Sequence, residues 1–256
     1  MTPKGKPRDM KKWRQVLSDP DVSFPGESSD YRRARNELLE AEDELRRMTE
    51  AVAAQRRALP VGGLLATDYV FESAADGSEV KFSDLFAPGR DSLVIYHMMF
   101  PRWANDLRAG APSGDTALLP LNEQPCPSCT SVVDGLNGPA VHLSDRVNLV
   151  VVAKADPARM RTYASERGWH NLRLLSSRTN TFSRDYHGET AAGEQLPVLL
   201  VFSRDDDGIH HRWASELTFA RGTNSPIDPI WPIMGMLDLT PDGRGETATY
   251  PSLQYE

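Results

Sequence analysis

Both cysteines of this 256-residue chain fall in one run, Cys126-Pro127-Ser128-Cys129. Two thiols so spaced, with no third thiol to pair with, can close on each other as a disulfide or grip a metal together. The thiolate is the reactive and ligating form, and its pKa falls at a helix N-terminus. After Cys129, the residues Val132, Val133, Leu136, Ala140 and Leu143 keep helical spacing. Cys126 is therefore placed where extended backbone turns into a helix, beside unpaired N–H groups and the positive end of the helix dipole. This makes Cys126 the nucleophile and Cys129, one turn further in, the thiol that resolves a mixed disulfide. Glu123 is near enough in sequence to oppose the effect.

Six histidines offer a second chemistry. His97 ends a strand that should point toward the cysteine pair, and His187 precedes the segment that opens at Pro197. If both loops converge, Cys126 and Cys129 with His97, His187 or both make a soft sulfur and nitrogen site suited to copper(I) or zinc. A core histidine bonded to backbone, or a proton shuttle, is open for the same positions. His142 reads as helix packing, and His210-His211 alternate across a strand and chelate poorly. Asp205 to Asp207 form a solvated turn that lacks the ligand spacing of a calcium loop. Arg178 and Arg184 flank the His187 loop and could hold an anion or stabilise a thiolate.

The elements that would position these groups follow from periodicity. Residues 1–29 are rich in Pro, Lys, Asp and Ser and are expected to be loosely ordered. From Asp30, Tyr31, Ala34, Leu38, Ala41, Leu45, Met48 and Val52 form an apolar seam at heptad spacing, which predicts a long helix over 30–60. Either that helix packs on its own domain or residues 31–52 pair two copies into a homodimer. Short strands are expected at 68–73 and 79–82, and a buried one at 92–96. Residues 101–125 show no periodicity and form a long loop, of the kind that is often functional. The run 147–153 is a strand buried in a parallel sheet. Asp156-Pro157 opens a helix that Gly168 closes. Residues 172–175 give a strand, and 197–202 with 209–214 a hairpin. Gly135, Gly138 and Pro139 should weaken or kink the helix that follows the cysteines. The proline-rich residues 221–256 form a tail packing on the domain of residues 61–220.

Composition narrows the function classes. A net charge of −7 argues against a nucleic acid partner, which wants a basic face. The basic N-terminus has no apolar stretch behind it, and no run approaches the roughly 20 apolar residues of a membrane span. The expected location is the cytoplasm, where a structural disulfide would not persist.

Strands alternating with helices predict an α/β domain, a central mixed sheet flanked by helices. Gln195 to Phe202 resembles the segment of thioredoxin-like proteins in which a cis proline, here Pro197, lies beside the cysteine pair. Tyr69-Val70-Phe71, Ile95-Tyr96-His97, Asp134-Gly135-Leu136-Asn137-Gly138, Arg167-Gly168-Trp169, Asp185-Tyr186-His187 and Leu237-Asp238-Leu239-Thr240-Pro241 extend the resemblance over residues 30–245. Together they are similar to the bacterial family known as domain of unknown function 899, within the thioredoxin and alkyl-hydroperoxide-reductase superfamily. The resemblance implies a thioredoxin-like fold with an N-terminal long-helix extension and a C-terminal wrapping tail. It departs from wider relatives in having Gln124-Pro125 where thioredoxins carry a tryptophan. Neither cysteine has the full proline and Thr/Ser set that precedes a peroxidatic cysteine.

The leading expectation is a thiol–disulfide oxidoreductase using Cys126, Cys129 and cis-Pro197. It requires no cofactor, takes a disulfide or small-molecule substrate, and is recharged by a thiol reductant. The alternative is a copper- or zinc-binding protein, carrier or metal-dependent enzyme, using the cysteines with His97 or His187. A third is a non-catalytic dimeric scaffold.

Overall fold

The computed structural model describes residues 23–219 and 227–244. Most of the expected N-terminal segment, and the tail outside 227–244, therefore lie beyond the described residues. The chain divides into two units, Met1–Leu59 and Pro60–Glu256.

In the first unit, helix α1 spans Ser29–Ala58. Ser28 caps it, its hydroxyl accepting from the Tyr31 N–H at 3.1 Å. Ion pairs along its surface, such as Arg33–Asp30 and Arg46–Glu50, join neighbouring turns. Arg56 and Arg57 complement the dipole in the last turn. None of its residues is buried, and the seam residues Leu38, Leu45 and Met48 are exposed.

The second unit is built on one seven-stranded sheet. Its strands are β1 (Val70–Ser73), β2 (Glu79–Lys81), β3 (Ser92–His97), β4 (Asn148–Ala153), β5 (Arg173–Ser176), β6 (Val198–Asp205) and β7 (Gly208–Ala214). They lie in the order β2-β1-β5-β4-β3-β6-β7. The central strands β3, β4 and β5 are parallel, and the remaining pairings are antiparallel. The apolar run of β4 sits at the centre, where both faces are covered. Helix α2 (Pro127–Leu143) lies on the path from β3 to β4, and α3 (Pro157–Arg167) connects β4 to β5. The expected caps of α3 are present: Asp156 accepts from the Ala158 N–H at 2.9 Å, and Gly168 takes the left-handed turn at φ 68°.

Alternation along the strands divides the core into two layers. Tyr96 faces a layer that holds Met98, Cys126, Cys129, Val132, Val151, Tyr163 and Trp231. Leu93 and Ile95 face the other, an aromatic cluster of Phe71, Phe82, Phe182 and Phe202.

Two features of the second unit follow from packing. Helix α2 runs through Gly135, Gly138 and Pro139 without a break. Gly135 is used instead for close approach, since a Cβ there would stand 3.2 Å from the Pro232 ring. The described part of the tail packs on the domain. It delivers Ile227, Trp231 and Met234 into the first core layer, and the short helix α5 (Pro232–Leu237) follows a four-residue α4 (Phe182–Asp185). The Trp231 indole N–H is satisfied by Ser131 Oγ at 2.9 Å.

Candidate functional site

The cysteine pair sits at the start of α2, with Cys126 as the N-cap residue and Pro127 in the first turn. The helix therefore begins at the pair itself. The Cys126 N–H donates to the Met99 carbonyl at 2.9 Å, and the Met99 N–H points at Cys129 Sγ at 3.4 Å. This ties the pair to the end of β3. Both cysteines are free thiols and buried, Cys126 with no exposed surface at all.

The pKa values of the two thiols are shifted in opposite directions. The Cys126 pKa is lowered, first by a hydrogen bond from the Cys129 side chain, then by the Cys129 peptide N–H and the positive charge of Arg108. Burial and the Asp106 carboxylate act against this. Cys129 is raised well above the ordinary thiol value, by burial and then by its bond and proximity to Cys126, with Tyr96 and the Met99 N–H opposing. Glu123, expected to oppose ionisation of Cys126, pairs with Arg159 at 2.7 Å instead.

The loop of residues 101–125 covers the pair, and it contains two short 3-10 turns at Asp115–Leu118 and Leu121–Glu123. Arg108 reaches from it to donate to Cys126 Sγ at 3.3 Å and to Ser128 Oγ at 2.6 Å. Asp106 grips the same guanidinium, with Nη2 to Oδ2 at 2.7 Å and Nε to Oδ1 at 2.8 Å. Arg102 is buried beneath the loop and satisfies its carbonyls, donating to Pro125 at 3.1 Å and to Arg108 at 2.8 Å. Gln124 closes the other side, accepting from the Ala111 N–H and donating to the Leu119 carbonyl. Trp103 fastens the loop to the neighbouring segment through its indole N–H on the Gln195 carbonyl, at 2.5 Å.

Spacing and periodicity did not single out Arg102, Asp106, Arg108 or Ser128. The available signal was an Asp and two Arg within seven residues of a loop that leads into the cysteines. Arg102→Met should cost roughly 2 kcal/mol by orphaning buried carbonyls. Chemical denaturation would show the loss, and an unchanged midpoint would contradict the bracing role.

The histidines lie elsewhere. His97 alternates with Tyr96, so its ring turns away from the cysteines. Nδ1 lies 2.9 Å from the Leu196 carbonyl and Nε2 lies 2.8 Å from Ser183 Oγ. A carbonyl can only accept, so Nδ1 carries the proton and Nε2 accepts from Ser183. Gly188 permits this packing, since a Cβ there would meet the ring at 2.7 Å. His187, in the left-handed conformation at φ 57°, lines a cavity of about 560 Å³ with Asp185, Tyr186, Val198, Leu200, His211 and Glu216. Val198 and Leu200 belong to the aromatic core layer, across the sheet from the cysteines. The expected set of two cysteines with His97 or His187 is therefore not formed. Among the described residues no three or more His, Cys, Asp or Glu side chains are grouped to hold a metal ion.

Pro197 does precede β6, but not with the expected cis geometry. Among the described residues the one cis peptide bond is Phe100–Pro101. The Leu196 N–H bonds to the Gly188 carbonyl and its own carbonyl meets His97. The chain thus enters β6 already extended, through the trans amide that X-Pro bonds favour. Arg178 is committed to Glu72 and Asp156 at 2.6 and 2.5 Å.

A central β3-α2-β4 crossover, an antiparallel β6–β7 pair beside β3, and a Cys-x-x-Cys opening α2 define a thioredoxin-like fold. Residues 22–255 match the family described as bacterial protein of unknown function (DUF899), and the chain belongs to that family. No curated protein matches it. Solved structures similar to it include a peroxiredoxin Q from Xanthomonas campestris, at 14% identity and TM-score 0.40, covering 60% of this chain and 85% of that one. Peroxidoxin BcpB from Mycobacterium tuberculosis is 15% identical, with TM-score 0.40 and coverage of 59% and 82%. An uncharacterized conserved protein from Geobacillus kaustophilus is 18% identical, with TM-score 0.42 and coverage of 65% and 74%. Among the described residues no helix is long and apolar enough to cross a membrane.

Proposed function

We propose that the protein is a thiol–disulfide oxidoreductase with Cys126 as nucleophile and Cys129 as resolving thiol. The observation that carries this reading is a vicinal thiol pair opening α2, with Arg108 donating to Cys126 Sγ at 3.3 Å, and the opposite shifts of the two thiol pKa values agree with it. A pair poised this way keeps one sulfur as an anion and the other as its proton donor, which is what the first step of exchange needs.

The Cys126 thiolate attacks one sulfur of a disulfide and expels the other as a thiolate. The Cys129 proton is lost, and the Cys129 sulfur attacks Cys126 and expels the second substrate thiolate. Two electrons pass from the dithiol to the substrate, and an external thiol reductant restores the pair.

The test is a single turnover with pre-reduced protein and a small disulfide. Both thiols should disappear together, two product thiols should form per chain, and the intact mass should fall by two hydrogens. Stable adducts without an internal disulfide, or no consumption of substrate, would overturn the reading.

A further inference from the structure

Among the groups that hydrogen-bond to the Cys126 sulfur, Arg108 is the one that reaches the surface. Cys126 has no exposed area and Cys129 almost none, whereas the Arg108 side chain is 31% exposed. Next to it in the chain, Leu107 is largely exposed, and Trp103 is exposed nearby in the same loop. A sulfur with no accessible surface excludes the rigid face of a folded protein. A small molecule reaches it by displacing a guanidinium.

The charges around the sulfur add a second constraint. With Cys126 ionised, its negative charge and that of Asp106 balance Arg102 and Arg108. Formation of the mixed disulfide removes the thiolate charge, because the electron pair enters the new S–S bond and the departing thiolate carries the negative charge away. The Arg108 guanidinium then loses the thiolate as a counterion, at the boundary between the buried sulfur and solvent. A substrate half that brings its own anion restores the balance.

Resting on the oxidoreductase reading, we propose that the substrate class is small-molecule disulfides carrying a carboxylate or comparable anion close to sulfur. Arg108 transfers its hydrogen bond from the Cys126 sulfur to that anion as the mixed disulfide forms.

The test uses pre-reduced full-length protein and three disulfides of similar size: dithiodipropionate as the anion, hydroxyethyl disulfide as the neutral case, and cystamine as the cation. Each single-turnover rate is divided by the rate with mercaptoethanol as attacking thiol, which removes intrinsic reactivity. The anion should exceed the cation by about tenfold, the low end of what one charge-assisted hydrogen bond supplies. Arg108→Gln should collapse that ratio toward one, and Arg108→Lys should keep part of it. The three-substrate comparison on the unaltered chain stands even if a variant folds poorly. Equal normalised rates, or a preference for the cation, would overturn the inference while leaving the oxidoreductase reading intact. No internal disulfide with any of the three would remove both.

Discussion

Cys129→Ser is expected to halt the reaction at a mixed disulfide on Cys126, while Cys126→Ser is expected to lower the rate of disulfide attack by about a hundredfold or more. The asymmetry follows from ionisation. A thiol whose pKa stays above 9 is less than about 1% thiolate at pH 7, and only the thiolate attacks. Burial is the largest cause of the raised Cys129 pKa, and burial remains when Cys126 becomes serine. The two variants also differ in pH dependence. The leading cause of the lowered Cys126 pKa is the hydrogen bond from Cys129. Serine in its place changes that donor's length and acidity, so the Cys126 pKa should rise in Cys129→Ser. The trapping rate of that variant should therefore climb with pH through a range where the unaltered protein is already at its plateau. Rapid acid quench followed by intact mass measures both effects. An internal pair in which either serine variant attacks equally fast, with superimposable pH profiles, would sink the assignment.

The parts of this site written into local pattern were legible, and those written across the sheet were not. Cys126 at a helix start, the buried run of β4, and the Asp156-Pro157 and Gly168 caps of α3 each follow from a residue and its near neighbours. The strand order and the Arg108–Cys126 contact do not, because loop 101–125 has no period to read and its partners are set by tertiary packing. His97 shows the boundary well. Its place at the end of β3 was clear, yet its direction depends on which face Tyr96 takes, and only the position of α2 decides that. Tyr96 turns to the cysteines, so His97 must turn to the aromatic layer. Pro197 at a strand start follows from its missing donor, while its isomer is not a property of local sequence.

Acid should destabilise the protein through that same histidine. Burial pushes the His97 pKa from its ordinary 6.5 down to about 4, against the opposing influences of the Leu196 carbonyl and Glu189. The folded state thus resists a proton that the unfolded chain accepts from pH 6.5 downward. The stabilisation is fully present above pH 6.5 and is lost as pH falls toward 4. Each tenfold difference in proton affinity between the two states is worth about 1.36 kcal/mol, so the loss reaches about 3 kcal/mol by pH 4. Urea denaturation at pH 7 and pH 4, compared with His97→Gln, isolates this share, because glutamine keeps a donor and an acceptor without titrating. The unaltered protein should lose about 3 kcal/mol more than the variant across that interval. Parallel losses would mean that His97 is not a neutral buried base. Protonation leaves the Nδ1–H bond to the Leu196 carbonyl in place and changes the other side of the ring. Protonating His97 reverses the role of Nε2 toward Ser183, whose oxygen must then accept while its own O–H turns to donate to Ser177 Oγ, 2.6 Å away. The altered bonds lie at Ser183 and Ser177, so hydrogen exchange near pH 4, corrected for its intrinsic pH dependence, should quicken at residues 177–186 before the central strands respond.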